Sequence, residues 1–129
     1  MNILDHISLG VPAIDAARRF YDPVMASLGL SCLAANGAFA AYGKDAVQFL
    51  VMVPADGDDF TRGNGTHVAF QAETPANVDH FHAASLKAGG MCAGKPGPRP
   101  DYPAADVYAG FVIDPFGHKL EAIHNGFAA

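Results

Sequence analysis

Along the chain the apolar positions switch between a period of two and a period near 3.6, and the order of the switches occurs twice. Alternation over residues 2–11 predicts a strand that Pro12 ends. Ile14, Ala17, Tyr21, Val24 and Leu28 then fall on one stripe, with Arg18, Arg19 and Asp22 off it, which predicts a helix over residues 13–28. Pro23 lies inside that window, where it would kink or shorten the helix, and Gly29 suits a C-terminal cap. Three short strands follow at 30–35, 38–42 and 46–53. Asn36-Gly37 is a hairpin signal between the first two, and Gly43-Lys44-Asp45 a turn before the third. Residues 54–65 hold Asp56-Gly57-Asp58-Asp59 and Gly63-Asn64-Gly65 and read as a linker.

The second pass repeats the order strand, helix, strands. Residues 66–73 form the strand, and a helix runs to residue 88 with Thr74 as N-cap, Pro75 at its first position and Val78, Phe81, Ala84, Ser85 and Leu86 on its buried side. Gly89-Gly90 ends it, a strand begins over 91–93, and residues 95–105 read as a long loop rich in proline. Strands at 108–113 and 118–124 close the pattern as an antiparallel pair. The turn Asp114-Pro115-Phe116-Gly117 joins them, with Pro at its second position and Gly at its fourth. His67 follows His6 by 61 residues, and Phe81 follows Phe20, Gly90 follows Gly29 and Pro115 follows Pro54 at the same offset. The chain therefore reads as a duplicated βαβββ unit of the α+β class, one domain over residues 1–129 with half-repeats at about 1–54 and 66–125.

Composition narrows the partners. Half of the 129 residues are hydrophobic and 16% are charged, as in a packed globule large enough to bury a core. The net charge of −5, without a lysine or arginine cluster, argues against nucleic acid. No apolar run approaches the roughly 18 residues needed to cross a bilayer, and no basic segment precedes an apolar one near the start; the expectation is a cytoplasmic protein with no membrane partner. In that setting Cys32 and Cys92 are expected to be free thiols.

Strand parity then sorts the candidate chemistry. Side chains alternate across a strand, so Ile7, Leu9 and Val11 share one face and His6, Ser8 and Gly10 the other. In the fifth strand Val68, Phe70 and Ala72 oppose His67, Ala69 and Gln71. If Leu120 and Ala122 of the last strand pack on the helices, Glu121 joins His6 and His67 on the opposite side. Two imidazoles and a carboxylate with open positions suit a divalent first-row metal, with Fe, Mn, Ni, Co and Zn all compatible.

The duplicated order, the histidine near the start of strands one and five, and the ending Phe111-Val112-Ile113-Asp114-Pro115-Phe116-Gly117-His118-Lys119-Leu120-Glu121 resemble the vicinal oxygen chelate superfamily. That superfamily includes glyoxalase I, extradiol dioxygenases and bleomycin resistance proteins. The resemblance implies a cup-shaped mixed sheet built from both repeats, with helices on its outer face and metal ligands from strands one, four, five and eight. His6, His67 and Glu121 fill three of those places. The fourth strand offers no acid, and Gln48 is its only polar residue, expected beside the metal and substrate. The resemblance also implies a homodimer, with sites inside one chain or between two.

Further candidates lie around the proline-rich loop, where Arg99, Tyr102 and Tyr108, with Lys95, are placed to clamp an anionic substrate. His80 and His82 point in different directions from the second helix and are expected to be solvated, while His118 and His124 are expected to be structural. Asp56, Asp58 and Asp59 lack the glycine and glutamate that a calcium loop requires. The leading expectation is a metal-dependent lyase or isomerase of the glyoxalase type, with Glu121 catalytic and acting on a small substrate that carries neighbouring oxygens. The alternatives are a non-catalytic drug- or metabolite-binding protein and an extradiol-type dioxygenase.

Overall fold

The computed structural model describes residues 3–128. The first repeat runs β1 (Ile7–Gly10), α1 (Ile14–Ala26), β2 (Ser31–Ala35), β3 (Phe39–Gly43) and β4 (Val47–Met52). The second runs β5 (His67–Gln71), α2 (Pro75–Lys87), β6 (Met91–Pro98), β7 (Tyr108–Ile113) and β8 (Lys119–His124). Each repeat makes a four-stranded mixed sheet, ordered β1-β4-β3-β2 and β5-β8-β7-β6, in which the first strand pairs parallel with the last and the other pairs are antiparallel. The helices pack against one face of these sheets, as the stripes predicted, and meet each other. Val24 and Phe20 of α1, Val78 and Phe81 of α2, and Val51, Val112, Leu120 and Ala122 of the sheets share one core.

The duplication is closest in the helices, each of 13 residues and separated by the 61-residue offset. Phe20 and Phe81 are both fully buried. Two of the anticipated correspondences fail. The left-handed glycine after α1 is Gly29, but after α2 it is Gly89, while Gly90 is fixed by crowding: a Cβ there would lie 2.9 Å from the Ser85 carbonyl oxygen. Pro54 follows β4, whereas Pro115 lies in the turn before β8, because the loop between β6 and β7 lengthens the second repeat.

Other departures have local causes. β1 begins only at Ile7; Asn2 lies outside the described residues, and Ile3 and Leu4 are exposed. Pro23 does not stop α1, which continues to Ala26. β6 extends to Pro98 where a loop was expected from residue 95. It is the edge strand of its sheet, so Pro96 and Pro98 need no partner for a missing N–H, and the pairing shifts register around Gly94 and Gly97. The loop is thereby confined to residues 99–107.

Two turns formed as their sequences dictate. Asn36 Oδ1 accepts from the N–H of Ala38 and Phe39, and Thr74 Oγ1 caps α2 by accepting from Asn77 N–H at 3.1 Å. Asp114 does more than turn the chain. Its Oδ1 accepts from the N–H groups of Phe116 and His118, while its Oδ2 accepts from the buried Tyr21 hydroxyl of α1, so one carboxylate fixes the β7–β8 turn and clamps it to the first repeat. Burial and the Asp114 charge push the Tyr21 phenol well above its usual range. His118 adds a second tie between repeats, its Nε2 lying 2.6 Å from the Gly10 carbonyl oxygen.

Candidate functional site

The face of the second sheet turned away from the helices is set by three rows of side chains. His67 lies beside Lys119 and Ile113, Ala69 beside Glu121 and Phe111, and Gln71 beside Ile123 and Ala109. β5 alternates cleanly, with Val68 and Phe70 buried and His67, Ala69 and Gln71 exposed. Leu120 and Ala122 belong to the helix-side core, so Glu121 takes the opposite face, as parity required. The small, exposed Ala69 leaves room in front of it.

Glu121 is 3% exposed and sits between two partners. His67 Nε2 is 3.2 Å from its Oε1, and the Tyr102 hydroxyl donates to its Oε2 at 3.4 Å. Tyr102 reaches it from the 99–107 loop, and burial together with the Glu121 charge raises the phenol above its ordinary range, so the hydroxyl remains a proton donor through neutral pH. These groups line a cleft of about 610 Å³ whose other walls include Gln71, Ile123, His124, Asn125 and Phe127. The cleft is drawn entirely from the second repeat and the residues after β8. Asn125 adopts a left-handed backbone and donates through Nδ2 to the Asp106 carbonyl, and the Phe127 ring lies 5.9 Å from that of Tyr102. Sequence reading missed this C-terminal wall. Phe127, a large apolar residue in a short tail, was the available signal.

The remaining candidates are dispersed. His6 is exposed just before β1 and pairs with Asp5, its Nδ1 at 2.6 Å from Oδ1. Among the described residues no group of three or more His, Cys, Asp or Glu side chains gathers as a metal set. His67 and Glu121 are therefore the two candidate ligands that one chain brings together. Gln48 is exposed on the first sheet; one step before the observed register it falls opposite His6, in the row that Lys119 occupies in the second sheet. Leu50, paired with Ser8, stands where Glu121 stands beside Ala69. Tyr108 turns to the helix side, packing on the core and donating to Asp79 Oδ1 at 2.7 Å. Arg99 is held by the carbonyls of Lys95, Gly97 and Pro98, so Lys95 serves it through its backbone. His118 is buried and structural, whereas His124 both bonds the Ala72 carbonyl oxygen and lines the cleft. His80 is exposed as expected, but His82 is half-buried with an unpartnered Nε2, and burial lowers its pKa. Cys32 and Cys92 are free thiols. Among the described residues no helix is long and apolar enough to cross a membrane.

Known proteins share this fold. A glyoxalase/bleomycin resistance protein from Albidiferax ferrireducens is 31% identical, with 97% of this chain and 100% of that one covered and a TM-score of 0.86. A glyoxalase-related enzyme from Fulvimarina pelagi, 21% identical over 97% of this chain and 89% of that one, shares the fold with a TM-score of 0.74. So does a glyoxalase/bleomycin resistance protein/dioxygenase family enzyme from Burkholderia phytofirmans, 15% identical over 94% and 97%, with a TM-score of 0.71. No curated protein sequence matches the chain. Residues 3–122 match the family model described as the Glyoxalase/Bleomycin resistance protein/Dioxygenase superfamily, and the chain belongs to that superfamily.

Proposed function

We propose that the protein is a metal-dependent lyase or isomerase of the glyoxalase type, acting in the second-repeat cleft on a small molecule with neighbouring oxygens. The observation that carries this is the contact of His67 Nε2 with Glu121 Oε1 at 3.2 Å, with Tyr102 at the other carboxylate oxygen. An imidazole and a carboxylate at that separation match two adjacent places in the coordination shell of Fe, Mn, Ni, Co or Zn. Among the described residues no third His, Cys, Asp or Glu gathers with them. We assign the third to His6 of a second copy, which makes the working unit a homodimer. A bound divalent ion would supply Lewis-acid polarisation of the substrate's oxygens.

The chain's own residues do the rest. Glu121, shielded from water, is placed to take a proton from the carbon beside a carbonyl and return it to the neighbouring carbon. Tyr102 donates to Glu121 and, once the carboxylate is engaged, to a substrate oxygen. Ala69, Ile123 and Phe127 give the substrate's carbon skeleton an apolar wall.

Elemental mass spectrometry on untagged protein, with His6→Ala, His67→Ala and Glu121→Gln alongside and the mass in solution measured, tests the proposal. Near-stoichiometric metal lost in all three variants, in a dimer, is the expected result. Absence of metal after incubation with each ion would overturn it. The second reading, a non-catalytic binding protein, draws on the largely apolar cleft and the two-donor set of the single chain; stoichiometric binding without metal or turnover selects it. Oxygen consumption with catechols and Fe(II) would select the dioxygenase.

A further inference from the structure

Phe111 lies in the row of Glu121, and its ring centroid is 6.3 Å from that of His67. Two cations share that ring: the Arg99 guanidinium carbon is 5.8 Å from its centroid and Lys119 Nζ is 5.1 Å. Neither is within ion-pair distance of a carboxylate among the described residues, where the pairs are His6 with Asp5, Arg18 with Asp22 and His67 with Glu121. Of the eight Lys and Arg side chains only Arg18 has such a pair among the described residues, so what sets Arg99 and Lys119 apart is that both lie against one ring.

Their positions are built rather than incidental. Lys119 is the register partner of His67, so its side chain rises from the same face one strand away. Arg99 is fastened by three contacts to the carbonyl oxygens of Lys95, Gly97 and Pro98, which hold the guanidinium over the ring while leaving N–H donors free. The Phe111 ring can lie flat beneath them because β6 offers Gly94 there; a Cβ on Gly94 would come within 3.1 Å of the ring. Each cation is drawn to the ring face, while two like charges held at one ring repel each other. An anion bound at these cations offsets that repulsion, with Arg99 offering a planar fork to an oxyanion.

We infer that Arg99, Lys119 and the Phe111 platform form a subsite for an oxyanion, a carboxylate or a phosphate, at the His67 end of the cleft, and that the substrate is a small anion. This rests on the proposal that the cleft is the reaction site. Lys119 precedes Glu121 by two residues on the same face of β8 and Phe111 is the register partner of Glu121 on β7, so the anionic group would sit beside the carboxylate. Lys119 joins Arg99 here, and Lys95 contributes only the carbonyl oxygen that holds Arg99.

The test is an NMR titration of isotope-labelled protein with inorganic phosphate, lactate and propane-1,2-diol, the last being lactate's neutral counterpart. Phosphate or lactate should shift the Arg99 Nε–H and Lys119 side-chain resonances while the diol at equal concentration does not. Lys119→Gln and Arg99→Gln should each weaken anion binding at least fivefold, and Arg19→Gln should leave it unchanged. Lys119→Gln disturbs no loop contact, so its effect cannot come from loosening the 99–107 segment. Phosphate alone would identify a phosphorylated substrate and lactate alone a carboxylate. Equal response to the diol, or unchanged anion affinity in both variants, overturns the inference. Anion affinity retained in His67→Ala separates the two claims: the subsite then stands even where metal content contradicts the proposed function.

Discussion

The two repeats share a frame and differ in what they show to the cleft side of their sheets. In the second, Ala69, Glu121 and Phe111 lie in register across β5, β8 and β7; in the first, the matching row is Ser8, Leu50 and Ala41. Toward the helices the repeats stay alike, with Phe49 and Val51 answering Leu120 and Ala122 in one core. The second cleft is closed by the 99–107 loop and the C-terminal turn. The corresponding hollow of the first, about 400 Å³, is edged by Ser8, Gly10, Met52 and Phe60 and holds no histidine. Packing constrains the buried face of a duplicated unit on both copies, whereas the opposite face is free to diverge once one copy carries the chemistry.

Making the second repeat resemble the first should have the largest effect. Glu121→Leu should abolish metal retention and lower any turnover by about a hundredfold or more. Its thermal midpoint should hold or rise, because a buried carboxylate is replaced by an apolar side chain. A parallel fall in stability would mean that Glu121 is structural. Next, Asp114→Ala should cost on the order of 3 kcal/mol in urea denaturation, since it leaves two backbone N–H groups and the Tyr21 hydroxyl without their acceptor. A loss under 1 kcal/mol would show that the clamp between repeats is dispensable.

The same clamp has a pH signature. Tyr21 has its folded pKa raised, so its contribution is complete below the unfolded value of about 10 and declines as pH rises toward the folded one. Wild-type stability should therefore fall above pH 10 by up to about 1.4 kcal/mol per pH unit from this group, and the wild-type and Tyr21→Phe curves should converge. Parallel curves would refute the assignment. The smallest effects separate the helices: α2 is capped by Thr74, and α1 has only Ala13, whose side chain caps nothing. Thr74→Ala should cost about 1 kcal/mol and Ala13→Ser should gain a few tenths, both readable in denaturant midpoints.

Much of this comparison was legible in the sequence. The alternation through His67–Gln71 and the helix stripes marked the two faces, and the Thr74 cap, the Asn36 turn and the Asp114-Pro115-Phe116-Gly117 turn are encoded within a few residues. Edge position explains why the prolines of β6 misled: whether a missing N–H matters depends on which neighbour the strand has. Tyr108 was placed near the site by its nearness to the loop, yet one step of parity sends it to Asp79.

Parity and turn chemistry follow from covalent backbone geometry and short-range hydrogen bonding, so the sequence determined the repeat and the alternation of the two faces, while the packing of Leu120 and Ala122 on the helices decided which face bears Glu121. Tertiary structure alone decided that Glu121 meets His67 across 54 residues, that Tyr102 comes back over the carboxylate, and that His6 stands apart, just ahead of β1. It also decided that Arg99 and Lys119 meet on one ring. Those distances depend on strand register, loop closure and the packing of α1 against α2, and register is set by the whole sheet rather than by any stretch of the chain.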